Sequence, residues 1–487
     1  MSFTTFSYMA FLPIVLLLYY LLPRQVKNPL LLVASYFFYA CWNPAYSLLM
    51  LLSTAITYFC GLLMERKAAG KRRLWLVLSL CLNLGILFVF KYFNFFADTI
   101  ADVMRLFGSA PASAHLELLL PVGISFYTFQ ALGYTIDVYR GDMPAERSFI
   151  DYALFISFFP QLVAGPIERS GNLLPQLKVV RKFSTENIVD GMLPICWGFF
   201  KKLVIADNLA VLVNTAYAAP AEYSALQLII ATTAFAFQIY CDFSAYSDIA
   251  RGSAAMLGVR LMENFDRPYL ADSIQDFWRR WHISLSGWFR DYVYFPLGGN
   301  RVSPLRRCGN LLVVFLLSGL WHGAAMTYVL WGLLHGLYQV VGIATRDCKR
   351  RALSRLHIAE SNRVLRFLRV ACTFVLVTLA WVLFRANTLP DAGIVFARIF
   401  TLARGADSLK DQILALGLSQ KNCIMVAAAV LCLVLTDLFC RGKATEARIN
   451  RSLFARYAVL FLLIAATLIF GAYGENVDPQ QFVYFQF

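Results

Sequence analysis

Long apolar runs recur from one end of this chain to the other; Leu74–Phe90, Leu311–Leu320, Ala371–Phe384, Cys423–Leu438 and Tyr457–Phe470 are examples. A helix needs about 20 mostly apolar residues to cross a hydrocarbon core about 30 Å thick. The pattern therefore predicts an all-α polytopic membrane protein. Length alone suggests roughly ten to twelve crossings, and the shorter or interrupted runs suggest re-entrant or interfacial helices among them. Composition agrees: 59% of residues are hydrophobic and only 15% charged, against about 25% charged in soluble domains. No repeat of 20–50 residues and no Gly/Ser- or Pro-rich linker is visible. The expectation is one membrane domain over residues 1–487. Plain helices fill roughly 1–110, a polar-studded core spans 111–345, and further helices follow from 346 to 487.

The net charge of +15 does not point to nucleic acid, because the cations collect in short loops between apolar runs. One cluster is Arg66, Lys67, Lys71, Arg72 and Arg73. A second is Arg346, Lys349, Arg350, Arg351, Arg355, Arg363, Arg366 and Arg369. A third is Arg441, Lys443, Arg448 and Arg451. Lys and Arg in short loops mark the cytoplasmic side, which places both the N-terminus and Phe487 outside. Such clusters also attract anionic lipid headgroups or an anionic ligand. The eleven cysteines form no C-x-x-C pair. Cys81, Cys196, Cys372 and Cys432 read as small buried hydrophobes within apolar runs, not as a disulfide framework or a metal site. The N-terminus lacks the features of a cleavable signal peptide, so the first helix is expected to be retained.

Polar residues inside apolar context concentrate in the middle zone. Pro121-Val122-Gly123 and Phe159-Pro160 through Gly165-Pro166 break helices, and irregular backbone at membrane depth must be buried in protein or line a cavity. Either a cavity wall or an interfacial loop fits these breaks. On a helix Gln238 and Asp242 are neighbours, as are Ser244 and Asp248, and Asp248 can reach Arg251. They suit interhelical hydrogen bonding or a polar substrate lining. Trp278, Trp281, Leu285 and Trp288 fall at the spacing of one helical face, with Arg279, Arg280 and Arg290 elsewhere, as in a helix at the membrane interface. That reading explains the Trp and Arg residues but not His282, which sits beside Trp281 with Ser286 a turn later. His322 lies in another apolar run between Gly319 and Gly323, which leave room for a close neighbour. The chain has five histidines, and an ionisable group at membrane depth is by default a functional candidate. His335 reads better as a satisfied core residue.

Three segments, Trp278–Leu285, Trp288–Gly299 and Ser318–Gly323, together resemble the membrane-bound O-acyltransferase family. Within it they look most like the bacterial branch that O-acetylates alginate, related to the branch that transfers D-alanine to teichoic acid. Phe11-Leu12-Pro13, the Pro121–Tyr127 and Phe159–Ile167 segments and the terminal Phe482–Phe487 share the likeness, so it runs essentially end to end. The resemblance implies a ring of transmembrane helices around a central tunnel, where a cytoplasmic cavity meets an extracellular funnel. It implies His322 as the central catalytic histidine and His282 as a second position that is Asn or His across the family. It also implies a cytoplasmic acyl thioester donor such as acetyl-CoA with no bound cofactor, a polysaccharide acceptor, and a periplasmic SGNH-type acetyltransferase partner, all at a bacterial inner membrane.

Acyl transfer to a hydroxyl needs a base, close placement of the reactants and donors for the oxyanion. His322 is the candidate base. His282 could orient it, contact the donor or hold the acceptor. Trp281 and Trp321 would wall off water, with Gln238, Asp242 and Ser286 lining the path. Arg279, Arg280, Arg301 and Arg306 are candidates for the donor's phosphates. A proton-coupled transporter of a glycan or lipid precursor is the alternative, with the same histidines coupling protons.

Overall fold

A computed structural model describes residues 1–65, 69–108, 114–179, 181–401, 408–439, 452–473 and 482–483. Arg66 and Lys67 of the first basic cluster, the whole third cluster (Arg441, Lys443, Arg448, Arg451), and Tyr484, Phe485, Gln486 and Phe487 lie outside the described residues. Among the described residues 78% are helical and none is in a strand. The protein is thus an all-α polytopic membrane protein. Among the described residues six helices are long and apolar enough to cross a membrane: Pro44–Glu65, Lys71–Leu106, Ala225–Met256, Met326–Ala344, Arg363–Arg385 and Gln420–Phe439. Phe6–Leu21 and Phe454–Phe470 are shorter apolar helices. Other apolar stretches of the sequence fold into helices that are shorter, such as Phe149–Ser157, or that begin with charge, such as Pro304–His322 with its Arg306 and Arg307.

The chain forms two compact units, Met1–Ile195 with Tyr246–Met262, and Cys196–Ala245 with Glu263–Phe487. In the first unit, polar side chains stitch apolar helices together. Ser53 donates to Asn83 at 2.5 Å, Tyr152 donates to Thr57 at 2.7 Å, and the Tyr8 and Ser253 hydroxyls lie 2.7 Å apart. Each bond satisfies groups that would be costly to bury alone. The two helix breaks seen in the sequence are buried in protein. Gly123 takes a left-handed φ of 74° to start the Ile124–Arg140 helix, and a Cβ there would sit 2.8 Å from the carbonyl oxygen of Leu162 in the second break. Both the conformation and the contact call for glycine. Arg72, from the basic hairpin, donates to the Val138 and Tyr139 carbonyls that end this helix. Asp248 and Arg251 pair at 3.7 Å, one turn apart as their spacing suggested.

Three of the four cysteines read as buried depart from that expectation: Cys81, Cys372 and Cys432 are exposed and Cys196 is partly so. An apolar run on a membrane-spanning helix faces lipid as readily as protein, so apolar neighbours in sequence do not imply burial in the fold.

The second unit is built on an aromatic core. Trp281, Trp331 and Trp381 are its largest fully buried side chains, and the Trp331 and Trp381 rings stack 5.6 Å apart. One helical expectation is corrected here. Trp278, Trp281, Leu285 and Trp288 are all buried but do not lie on one continuous helix. The chain makes one short helix, Ile274–Arg280, and a second, Ile283–Phe289, with the break at Trp281 and His282. Periodicity could not reveal the break, because a tertiary contact at His282 makes it.

Candidate active site

Ser303 and Pro304 open the helix that carries His322, and proline suits the first turn, whose N–H groups have no intrahelical partner. The helix packs on Met326–Ala344 at unusually close range. A Cβ on Gly319 would collide with the Tyr328 carbonyl oxygen, one on Gly332 with that of Phe315, and one on Gly323 with the Tyr328 ring. The room that glycines leave around His322 is therefore filled by the neighbouring helix. The helix stops at His322, where Gly323 becomes extended. The imidazole sits at the negative end of the helix dipole, which favours the cation formed when a base captures a proton. It is 2% exposed and meets Trp331 edge-on at 4.9 Å and Phe384 at 5.5 Å between ring centres.

His282 occupies the break between the two short helices with a left-handed backbone, φ 44° and ψ 55°. That region is sparsely populated by residues other than glycine, and strained residues of this kind collect at functional sites. Asn264 holds the turn in place. Its backbone carbonyl accepts the Ile283 N–H at 3.0 Å. Its side-chain oxygen accepts the Ser284 N–H at 3.2 Å and the Ser284 hydroxyl at 2.9 Å. The same oxygen lies 3.2 Å from His282 Nδ1. The ring is fully buried, edge-on to Phe243 at 4.7 Å and near Trp321 at 5.6 Å. Burial holds its pKa below the ordinary histidine value, so the ring is neutral near pH 7. The two imidazoles stand 6.3 Å apart, centre to centre. Residues 40 apart in sequence thus share one buried aromatic chamber.

Trp321 belongs to that chamber, with its ring 5.0 Å from His322 as well as close to His282. Trp281 is fully buried and its ring packs on Phe265, Phe277 and Trp381. Ser286 receives its helical bond, its N–H donating to the His282 carbonyl at 3.0 Å. Gln238 is buried on the Ala225–Met256 helix. One turn later, Asp242 is 1% exposed and pairs with Lys202 at 2.8 Å. Lys202 also meets Asp207 at 2.7 Å, and Asp242 accepts the Val483 N–H at 2.7 Å. Burial pushes the Asp207 carboxyl up, outweighing the pull of Lys202, with Asp242 adding to the rise. Asp242 adjoins the chamber through its sequence neighbour Phe243, whose ring also lies 5.9 Å from Phe482. Arg279, Arg301 and Arg306 are exposed, while Arg280 pairs with Asp276 at 2.8 Å. The second basic cluster lies on the exposed helix Arg346–Arg355 and the start of Arg363–Arg385. His335 is fully buried, with Trp278 Nε1 donating to its Nδ1 at 3.2 Å. Among the described residues no group of three His, Cys, Asp or Glu side chains gathers as a metal site.

The sequence reading missed Lys202 and Asn264. Lys201-Lys202 inside the apolar run after Phe199-Phe200 was a usable signal, since buried cations need partners. Both lysines lie on a π-helical stretch, Phe200–Ala206, and such turns often occur at functional sites. Asn264 offered no local signal.

An all-helical polytopic membrane protein with two buried histidines at adjoining helix ends defines a class. Comparison with known proteins says which one. The profile of "MBOAT, membrane-bound O-acyltransferase family" matches residues 144–383. The chain is 38% identical over 496 residues to the "Probable alginate O-acetylase AlgI" of Pseudomonas putida, covering 98% of each protein. It is 43% identical over 397 residues to the protein of the same name in Pseudomonas aeruginosa, covering 80% of this chain and 73% of that one. It is 38% identical over 418 residues to the "Peptidoglycan O-acetyltransferase" of Helicobacter pylori, covering 79% and 76%. The chain belongs to the membrane-bound O-acyltransferase family, and it is an acyltransferase.

Proposed function

We propose that this acyltransferase O-acetylates an exported polysaccharide from a bacterial inner membrane, with both chain ends outside the cytoplasm. The donor is a cytoplasmic thioester, acetyl-CoA. The acetyl group passes toward an extracytoplasmic acceptor, with a periplasmic SGNH-type acetyltransferase completing delivery. The relatives named for alginate and peptidoglycan acetylation support the substrate class. The observation that carries the chemistry is the buried His322 imidazole at a helix C-terminus among aromatic rings, with a second imidazole beside it.

His322 takes the proton of the acceptor hydroxyl as its oxygen attacks the thioester carbonyl carbon. The C–S bond then breaks, and the proton passes to the departing thiolate. Trp321, Trp331 and Phe384 exclude the water that would otherwise compete as acceptor. Trp281 braces this wall from the core. Gln238, Asp242 and Ser286 belong to the polar approach, and Arg279, Arg280, Arg301 and Arg306 supply cations for the donor's phosphates.

Inside-out vesicles containing the protein, incubated with labelled acetyl-CoA, test this reading. Label should reach an extracytoplasmic glycan or partner. His322→Ala should lower transfer by about 10²–10⁴-fold, the usual contribution of a general base, with the protein still inserted. Near-full transfer in that variant would remove His322 from the mechanism.

A further inference from the structure

The hydrogen bonds around Asn264 fix where His282 carries its proton. The Ser284 backbone N–H can only donate, so the Asn264 side-chain atom that receives it is the carbonyl oxygen. That oxygen can only accept. His282 Nδ1 lies 3.2 Å from the same oxygen and 3.5 Å from Ser284 Oγ, whose own hydrogen goes to Asn264 at 2.9 Å, so both neighbours of Nδ1 are acceptors and Nδ1 carries the hydrogen. The neutral ring then has its lone pair on Nε2.

This separates the roles open to His282. A thioester carbonyl oxygen or a developing oxyanion needs an N–H, and a lone pair offers it nothing. A hydroxyl, by contrast, can donate to that lone pair. From this geometry we propose that Asn264 is a positioning residue that locks His282 in the Nδ1–H form, and that His282 Nε2 binds an O–H on the acceptor side of the site. The inference rests on the acyl-transfer reading. A hydroxyl has one hydrogen, so the attacking hydroxyl gives its proton to His322. The group held by His282 is then a second O–H beside the attacking one on the acceptor side. The left-handed backbone at His282, held by the Asn264 carbonyl through Ile283, sets the ring in this position. Among the described residues a titratable ring faces His282, that of His322 from the Pro304–His322 helix, and the Phe243 and Trp321 rings beside it are uncharged.

Two variants test the proposal in vesicles with labelled acetyl-CoA. Asn264→Leu keeps the size and removes the acceptor. It should lower kcat on the order of 10²-fold or more, the scale on which a mis-set tautomer disables a catalytic histidine, with the KM for acetyl-CoA unchanged. Asn264→Asp keeps the acceptor and adds a charge that stabilises the His282 imidazolium. It should fold and transfer acetyl groups, with the acid limb of its pH–rate profile moved to higher pH. A rise confined to the KM for acetyl-CoA in Asn264→Leu would place His282 on the donor side and overturn the proposal. An unmoved acid limb in Asn264→Asp would overturn it too, even if Asn264→Leu fails to fold. Activity surviving in His322→Ala would instead sink the base assignment, leaving the Asn264 effects to be read independently.

Discussion

His282 and His335 look alike by every coarse measure. Both are fully buried, both are boxed by aromatic rings, and both have Nδ1 tied to a side chain 3.2 Å away. They differ in which atom owns the hydrogen. Trp278 donates to His335, so the His335 proton sits on Nε2, and its backbone is ordinary helix within Met326–Ala344. Asn264 accepts from His282, so that proton sits on Nδ1, at a strained break between helices. Burial among aromatics therefore does not distinguish a working histidine from a packed one. The donor or acceptor character of the partner does, together with the local backbone.

The widest separation should come from replacing each histidine in turn. His282→Ala should cut acetyl transfer per folded molecule on the order of 10²-fold or more, the scale expected of Asn264→Leu. His335→Leu leaves the Trp278 N–H buried without its acceptor, at about 1–3 kcal/mol, and should keep turnover per folded molecule within a few-fold. Rates and melting curves in one detergent compare them, and equal losses of rate would erase the distinction.

Next in size, Lys202→Met tests the charged group behind Phe243. It strands Asp207 and Asp242 in the interior, and breaking a buried pair in this way costs about 3–5 kcal/mol. A large drop in melting temperature is expected, and Lys202→Arg should recover part of it. The smallest effect on turnover belongs to Trp278→Phe, which removes the donor to His335 and part of the buried indole. A loss of about 1–3 kcal/mol of stability with an unshifted pH–rate profile would sharpen the contrast with Asn264→Asp. A shifted profile would tie His335 to the chemistry.

The sequence by itself determined the membrane class, the helical content, and the two histidines as its most unusual groups. Each follows from local facts: apolar length sets whether a segment can span, and an ionisable residue in an apolar run carries its cost wherever the fold puts it. The glycines around His322 were also legible as a close approach, but not that Tyr328 and the Met326–Ala344 helix would fill it. Only the tertiary structure decided the rest. It broke the helix at His282, because Asn264, 18 residues upstream, captures the Ile283 and Ser284 N–H groups. It supplied Asp242 with Lys202 and the Val483 N–H from distant parts of the chain. It also assigned the His282 proton, since a tautomer is set by the atom across the hydrogen bond, and no spacing in a sequence names that atom.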